Sequence, residues 1–306
     1  EWLAYDQIHI DVARNASDDF NPFHDPGKWQ RVRNNPFGGP IVLGFQLECL
    51  VEYLLTRQRS NHVPAVPMSP FRTYQFTFSD VLRPGEDFQP QVKPMRTSHQ
   101  ENEGTLRSNR IVVRKKTGIA LLGAIRDSET PLCAVAEAGL EPLGASVETI
   151  TGTPDRSWVE GTNWFHKRKY MMNGNAKNLI SASLSDQAWY FDEIEHRINF
   201  PDMVPASLIS CALLERADLS GIDFYTDPMV YTAHQITVNQ PLARSLRSND
   251  MLHILVDEPS VATRGEGLRG SDVEQQRHRC LCLLNDGQLL FGAEVFLAPL
   301  NAISIG

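Results

Sequence analysis

The hydrophobic positions of the chain repeat one scheme twice. Leu47, Leu50, Val51 and Leu54 recur at i, i+3, i+4 and i+7 and predict a helix reaching about Leu55, with one strongly apolar face. Tyr74, Phe76 and Phe78 then alternate with polar residues, as a half-buried strand does. Arg83-Pro84-Gly85-Glu86 predicts a turn, and further strands are expected over 87–95, 106–114 and 118–126, the last two joined at Lys116-Thr117-Gly118. A second helix over 206–217 carries Leu208, Ile209, Leu213 and Leu214 and is apolar over most of its surface. Strands are expected after it at 229–239, 250–257, 277–285 and 288–298. Each half therefore reads as a helix followed by about four antiparallel strands. A curved antiparallel sheet wrapped around each helix accounts for helices this apolar.

The intervening stretches are less regular. Ile8, Ile10 and Val12 alternate and suggest a short strand, as does the run 178–184. Residues 28–33 suit a short helical turn, and Pro40 suits the first turn of the following helix, where its missing N–H costs nothing. Pro64, Pro67 and Pro70 mark a stiff connector. The segment 127–165 is broken by Pro142, Gly144, Gly152, Pro154 and Gly161. The expected organisation is a first domain over 1–130, a linker over 131–165 and a second domain over 166–306. The stretch 264–276, with Gly265, Gly267 and Gly270, is expected to be a loop between two strands of the second domain.

Composition narrows the function classes. The 306 residues are 42% hydrophobic and 22% charged, with a formal net charge of −8. Nucleic acid is not an expected partner, and any anionic partner needs a local cationic patch. No apolar run reaches the about 18 residues of a spanning helix, so no membrane partner is expected, and no signal-peptide pattern is read at the start. Cys49, Cys133, Cys211, Cys280 and Cys282 are odd in number and scattered, which fits reduced thiols in a cytoplasmic protein. Cys280-Leu281-Cys282 has strand spacing and lacks partner ligands, so burial is expected there rather than zinc. No metal or other cofactor is expected.

The chemistry concentrates in Ser17-Asp18-Asp19-Phe20-Asn21-Pro22-Phe23-His24. Asn21-Pro22 and Asp25-Pro26-Gly27 make the stretch loop-like. It sets the Asp19 carboxylate and the His24 imidazole five residues apart, just before Gly39-Pro40-Ile41-Val42-Leu43-Gly44 and the first apolar helix. The first turn of a helix offers unsatisfied N–H groups and partial positive charge. An acid–base pair beside such a turn can work on a carbonyl compound.

The stretch resembles the MaoC-like, or (R)-specific enoyl-CoA hydratase, family, whose pattern is Ser-Gly-Asp-x-Asn-Pro-x-His followed by a Pro-Ile-x-x-Gly helix start. Asp19-Phe20-Asn21-Pro22-Phe23-His24 and Pro40-Ile41-Val42-Leu43-Gly44 keep both, over a resemblance covering about residues 10–126. Asp18 departs from the usual Gly and Leu43 from a common His. Asp18 is read either as a solvated loop charge or as a charge that raises the pKa of Asp19. In the second half, Asn199-Phe200-Pro201 to Pro205 looks like the His-Phe-Pro…Pro-Gly segment of β-hydroxyacyl-carrier-protein dehydratases. Asn199 would replace the catalytic His there, and Cys211 would fall near the helix acid. The resemblance implies an α+β double hotdog with one working half and one structural half.

It further implies interconversion of 2-enoyl and (R)-3-hydroxyacyl thioesters of CoA or acyl carrier protein. Asp19 and His24 would be the acid–base pair and the Gly44 N–H the oxyanion donor. Asn21 and Gly39 would contact substrate or shape its loop. Lys28, Arg31 and Arg33 are either a solvated face or contacts for CoA phosphates or an acidic carrier protein. His234 lies on an alternating face with Val230, Thr232, Ile236 and Val238 and is read as a satisfied core histidine; His196 and Arg197 are read as surface. Two rivals remain. A hotdog thioesterase would draw on Glu48, Glu52 or Glu215, and a non-catalytic acyl-binding subunit would need no pair at all. Whether two tandem chains pair into a homodimer is open.

Overall fold

The computed structural model describes residues 1–61, 68–100, 104–262 and 274–303. The chain opens with helix α1 (Gln7–Ser17) and, after the Asp/His loop, α2 (Gly44–Ser60). Strands β1 (Phe71–Phe78), β2 (Phe88–Val92), β3 (Arg96–Gln100), β4 (Gly104–Lys115) and β5 (Gly118–Ser128) complete the first half. The second half runs β6 (Phe165–Tyr170), α3 (Asn173–Ala182), α4 (Met203–Leu219), β7 (Met229–Asn239), β8 (Met251–Val256), β9 (Gln276–Leu284) and β10 (Leu289–Pro299).

All ten strands lie in one 12-stranded sheet, ordered β2-β4-β5-β1-β7-β10-β9-β8-β6, with β3 on β4 and two-residue strands at Ser157–Trp158 and Ser260–Val261. Its halves meet at β1 and β7, which pair antiparallel with Tyr74 opposite Ile236 and Phe76 opposite His234. The Thr73 and Thr237 hydroxyls bond across this seam at 2.8 Å. Inside the sheet α2 packs on α4, and the core joins Leu50, Val51 and Leu55 to Ile209, Ala212 and inward strand residues such as Ile111 and Ile236. Every residue of α4 from 203 to 214 is buried, which is why that helix is apolar all round. Burial of each large apolar side chain contributes about 1.5–3 kcal/mol.

The segment expected to be a mere linker has work to do in the fold. It forms short helices at Ala134–Ala138 and Val147–Gly152 and lays Val135, Leu143, Ile150 and Trp164 on the outward-facing Leu255, Leu281 and Leu283 of β8 and β9. The alternate residues Ile254, Val256, Cys280 and Cys282 face the helices, so this part of the sheet is buried on both faces. Gly292 is required here, because a Cβ on it would lie 2.7 Å from the Ala136 backbone.

The structure departs from the sequence reading in five elements. Ile8, Ile10 and Val12 lie in helix α1, not a strand; its buried face is Ile10, Ala13, Ala16 and Ser17, while Ile8 is exposed. Residues 178–184 likewise belong to α3 and its end, where Ala176, Leu179 and Ile180 are buried and the helix packs on α1. In α1, small residues carry most of the packing and leave the few large ones to mimic a two-residue period. Pro40 lies before α2 rather than in its first turn, which begins at Gly44. Strands β3 and β6 were not anticipated, since both are mostly polar. Pro64, Pro67 and most of the loop at 264–276 lie outside the described residues. All five cysteines are free and buried. Among the described residues no helix is long and apolar enough to cross a membrane.

Candidate active site

Helix α1 delivers the Asp/His loop. It ends at Asp18 in the left-handed region (φ 53°), and the Asp19 N–H closes the turn on Arg14 O at 2.9 Å. That conformation explains the Gly usual here: only Gly, and at some cost Asp or Asn, sits readily at positive φ. The exposed Asp18 carboxylate ion-pairs with Lys169 of β6, so the loop charge is tied to the second half. Downstream, Asp19 Oδ1 accepts the Asn21 N–H (2.9 Å) and Asn21 Oδ1 accepts the Phe23 N–H (3.1 Å), two successive side-chain turns that shape a 3₁₀ turn at Pro22–His24. Arg14 pairs with Asp25 at 2.9 Å and pins the far end.

Asp19 and His24 are brought together and buried, 4% and 6% exposed. His24 Nδ1 lies 2.7 Å from Ile41 O, a carbonyl that can only accept, so Nδ1 carries a proton. The Ile41 N–H in turn donates to Phe23 O at 3.0 Å. His24 Nε2 is thereby turned toward Asp19 Oδ2, 3.9 Å away, a separation that one bridging water could span.

His24 borders a cavity of about 790 Å³. His24, Asn21, Gly44, Leu47 and Phe78 line it from the first half, and Leu213, Tyr231 and His278 from the second; Asp19 stands behind this wall. Gly44 is the first residue of α2, so its N–H has no intrahelical acceptor. A Cβ on Gly44 would meet Phe78 Cζ at 2.8 Å, so the residue must be Gly for the ring to pack there. Tyr231 bonds Ser210 through its hydroxyl at 2.9 Å, and burial, then the nearby Asp19 charge, pushes its phenol well above the ordinary range. Burial, then Arg216, pushes His278 down to about 4, which keeps it uncharged at the wall.

The other expected contacts lie elsewhere. Lys28 pairs with Asp25 at 3.6 Å, Arg31 stacks over the Tyr225 ring at 4.1 Å, and the Arg33 N–H donates to Tyr225 O. None of the three lines the cavity, and neither does Gly39. The helix carboxylates are also engaged. Glu215 pairs with Lys167 at 3.0 Å, and Glu52 binds the start of α4 through the N–H groups of Asp202 (2.8 Å) and Met203 (3.0 Å). Glu48 Oε1 lies 2.9 Å from His234 Nδ1, both residues fully buried. His234 is a core histidine bonded through Nδ1, while among the described residues its Nε2 and Glu48 Oε2 have no partner. This pair sits behind Phe78 and Tyr231, whose rings are 4.9 and 4.7 Å from the imidazole. Tyr231 and His278 carry no motif, and only the fold brings them to His24.

No family model and no curated protein matches the sequence. Solved structures do match the fold. A MaoC-like dehydratase aligns with a TM-score of 0.58 at 12% identity, over 97% of this chain and 95% of its own. A Mycobacterium tuberculosis protein described as having a double hotdog fold aligns at 0.59 and 13%, over 97% and 93%. A MaoC-like dehydratase from Phytophthora capsici aligns at 0.56 and 10%, over 99% and 95%. At such identities the likeness is one of fold, and the chain has the α+β double hotdog fold of these proteins.

Proposed function

We propose that the protein is a hydratase or dehydratase that interconverts 2-enoyl and (R)-3-hydroxyacyl thioesters, with Asp19 and His24 as its acid–base pair. The observation that carries this reading is the 3.9 Å approach of His24 Nε2 to Asp19 Oδ2, with Nδ1 held on Ile41 O, at a cavity that also contains the start of α2. With Nδ1 protonated, Nε2 keeps its lone pair and faces the space a water would share with Asp19.

In the hydration direction, that water adds its oxygen to C3 while Nε2 takes its proton. Electron density moves through C2 to the thioester oxygen, and the resulting enolate oxygen meets the Gly44 N–H and the positive end of α2. The proton held on the imidazolium returns to C2, so water is consumed whole and the pair is regenerated. The Asp19 carboxylate stabilises the imidazolium and orients the water. Dehydration is the reverse. The stereochemistry is carried over from the resemblance, and the apolar wall of Leu47, Phe78 and Leu213 suits an acyl chain. The buried Glu48 and the engaged Glu52 and Glu215 do not favour the thioesterase alternative.

The test is hydration of crotonyl-CoA and a longer 2-enoyl-CoA, followed by loss of enoyl-thioester absorbance, for the wild type, Asp19→Asn and His24→Ala. Loss of at least about 100-fold in both folded variants is the expected result. Activity that survives both substitutions overturns the assignment.

A further inference from the structure

The two halves of the sheet differ in what covers their outer faces. The segment around residues 133–164 seals β8, β9 and β10, whereas no described element lies over β2 and β4. There the period of two puts Ser108, Arg110, Val112 and Arg114 of β4 outward, while Asn109, Ile111, Val113 and Lys115 point inward and are buried. Lys93 and Pro94 follow β2, and Arg96 begins β3 beside Ser108. Together these residues line a groove of about 470 Å³.

The groove is cationic. Four of its seven lining residues are cations and none is an acid, in a chain whose net charge is −8. Among the described residues, Arg96, Arg110 and Arg114 form no ion pair or hydrogen bond through their guanidinium groups, and the Lys93 ammonium bonds only the neutral Gln91 amide, at 2.9 Å. Like charges on neighbouring strand positions repel one another, so holding them together costs stability until an anion enters. The volume fits a small ligand rather than the footprint of a protein. No aromatic ring lines it, so a base would find nothing to stack on. Arginine forks in this number match phosphate oxygens.

We infer that this groove is an anion site for a multiply phosphorylated group. Its position suggests a source. Arg114 pairs across the ladder with Ile119, and Lys115 with Gly118; Ile119 and Gly118 also line the cavity beside His24. A ligand with its phosphates in the groove and an apolar end in the cavity would use both, an assignment that rests on the proposed function. A free phosphate compound would use the groove alone.

The experiment is calorimetric titration of the full chain with pyrophosphate at low and moderate salt, for the wild type, Arg110→Gln/Arg114→Gln and, separately, Lys93→Gln/Arg96→Gln. Each exposed pair is expected to weaken binding at least tenfold and to lower its salt dependence. No wild-type binding at low salt, or a Kd unchanged in both double variants, overturns the site. Comparing crotonyl-CoA with crotonyl-pantetheine then identifies the source. A KM raised tenfold for the CoA thioester alone assigns the groove to the phosphorylated end of the substrate. Unchanged KM values with pyrophosphate binding lost assign it to a free phosphate ligand. Absence of turnover on both thioesters would count against the proposed function, and the pyrophosphate result would still decide the groove.

Discussion

Glu52 of α2 grips Met203 of α4: its carboxylate takes the Met203 N–H at 3.0 Å and the Asp202 N–H at 2.8 Å. The start of α4 is thereby occupied from within, whereas the start of α2 faces the cavity. Glu52 is the ninth residue of its 17-residue helix, and Cys211 is the ninth of α4. Where one helix sends a carboxylate to its partner, the other offers a thiol that bonds Glu215 within its own helix at 3.6 Å. The asymmetry of the two halves is thus written in one pair of positions.

Burial and the nearby Asp202 charge push the Glu52 carboxyl up to about 8. A carboxyl whose folded pKa is raised binds more protons folded than unfolded, so its contribution is complete below about 4.5 and is lost as pH rises through about 8. Glu52→Gln is expected to flatten the pH dependence of urea-unfolding free energy across that window. It should also cost about 1–3 kcal/mol at low pH, where one of its two bonds to the α4 N–H groups is replaced by a poorer one.

His278 predicts the opposite slope. Its folded pKa is pushed down to about 4, so the unfolded chain binds more protons between about 4 and 6.5. Its contribution is present above about 6.5 and disappears as pH falls through 4, with a ceiling on the order of 3 kcal/mol. His278→Gln should remove that acid sensitivity, which thermal unfolding at pH 4.5 and pH 7 will measure.

The Glu48–His234 pair is expected to be costly to break and cheap to replace. Glu48→Leu or His234→Phe alone leaves a buried polar group without its partner, at about 3–5 kcal/mol. The double variant sets a phenyl ring among Phe45, Phe78 and Tyr231 and should recover much of that loss. Additive losses in denaturant unfolding would show that the pair is not coupled.

Gly44→Ala tests the helix start without touching an ionisable group. The added Cβ must displace the Phe78 ring, 2.8 Å away, from the cavity wall. On the proposed function, kcat/KM should fall at least about tenfold, most for long acyl chains, with a stability loss of about 1–3 kcal/mol. Unaltered kinetics would remove Gly44 from the site.

Much of this architecture was legible in the chain. The face of Leu47, Leu50, Val51 and Leu54 specified α2, and strict alternation located β1 and β7. The Asp19–His24 spacing located the loop, because two side-chain turns and the Asn21-Pro22 step fix its shape locally. What escaped depended on contacts distant in sequence. Lys28, Arg31 and Arg33 were local in the motif, yet the Lys28 and Arg31 side chains turn to Asp25 and Tyr225, and Arg33 meets Tyr225 through its backbone N–H. Tyr231 reaches the cavity only because β7 joins β1, and Glu48 meets His234 across the same seam. Helix α1 was hidden by its own alanines, and the short α3 buries only Leu179 and Ile180 as large residues, too few to show a helical period.

The ladder between β1 and β7 has a further consequence in the language of mass action. His24 and Tyr231 come from different halves, yet they share one cavity and one covalent chain. Two separate subunits would lose such a cavity on dissociation, at a concentration set by their affinity. Here the partner's effective concentration is fixed by the tether, so dilution does not take the two walls apart.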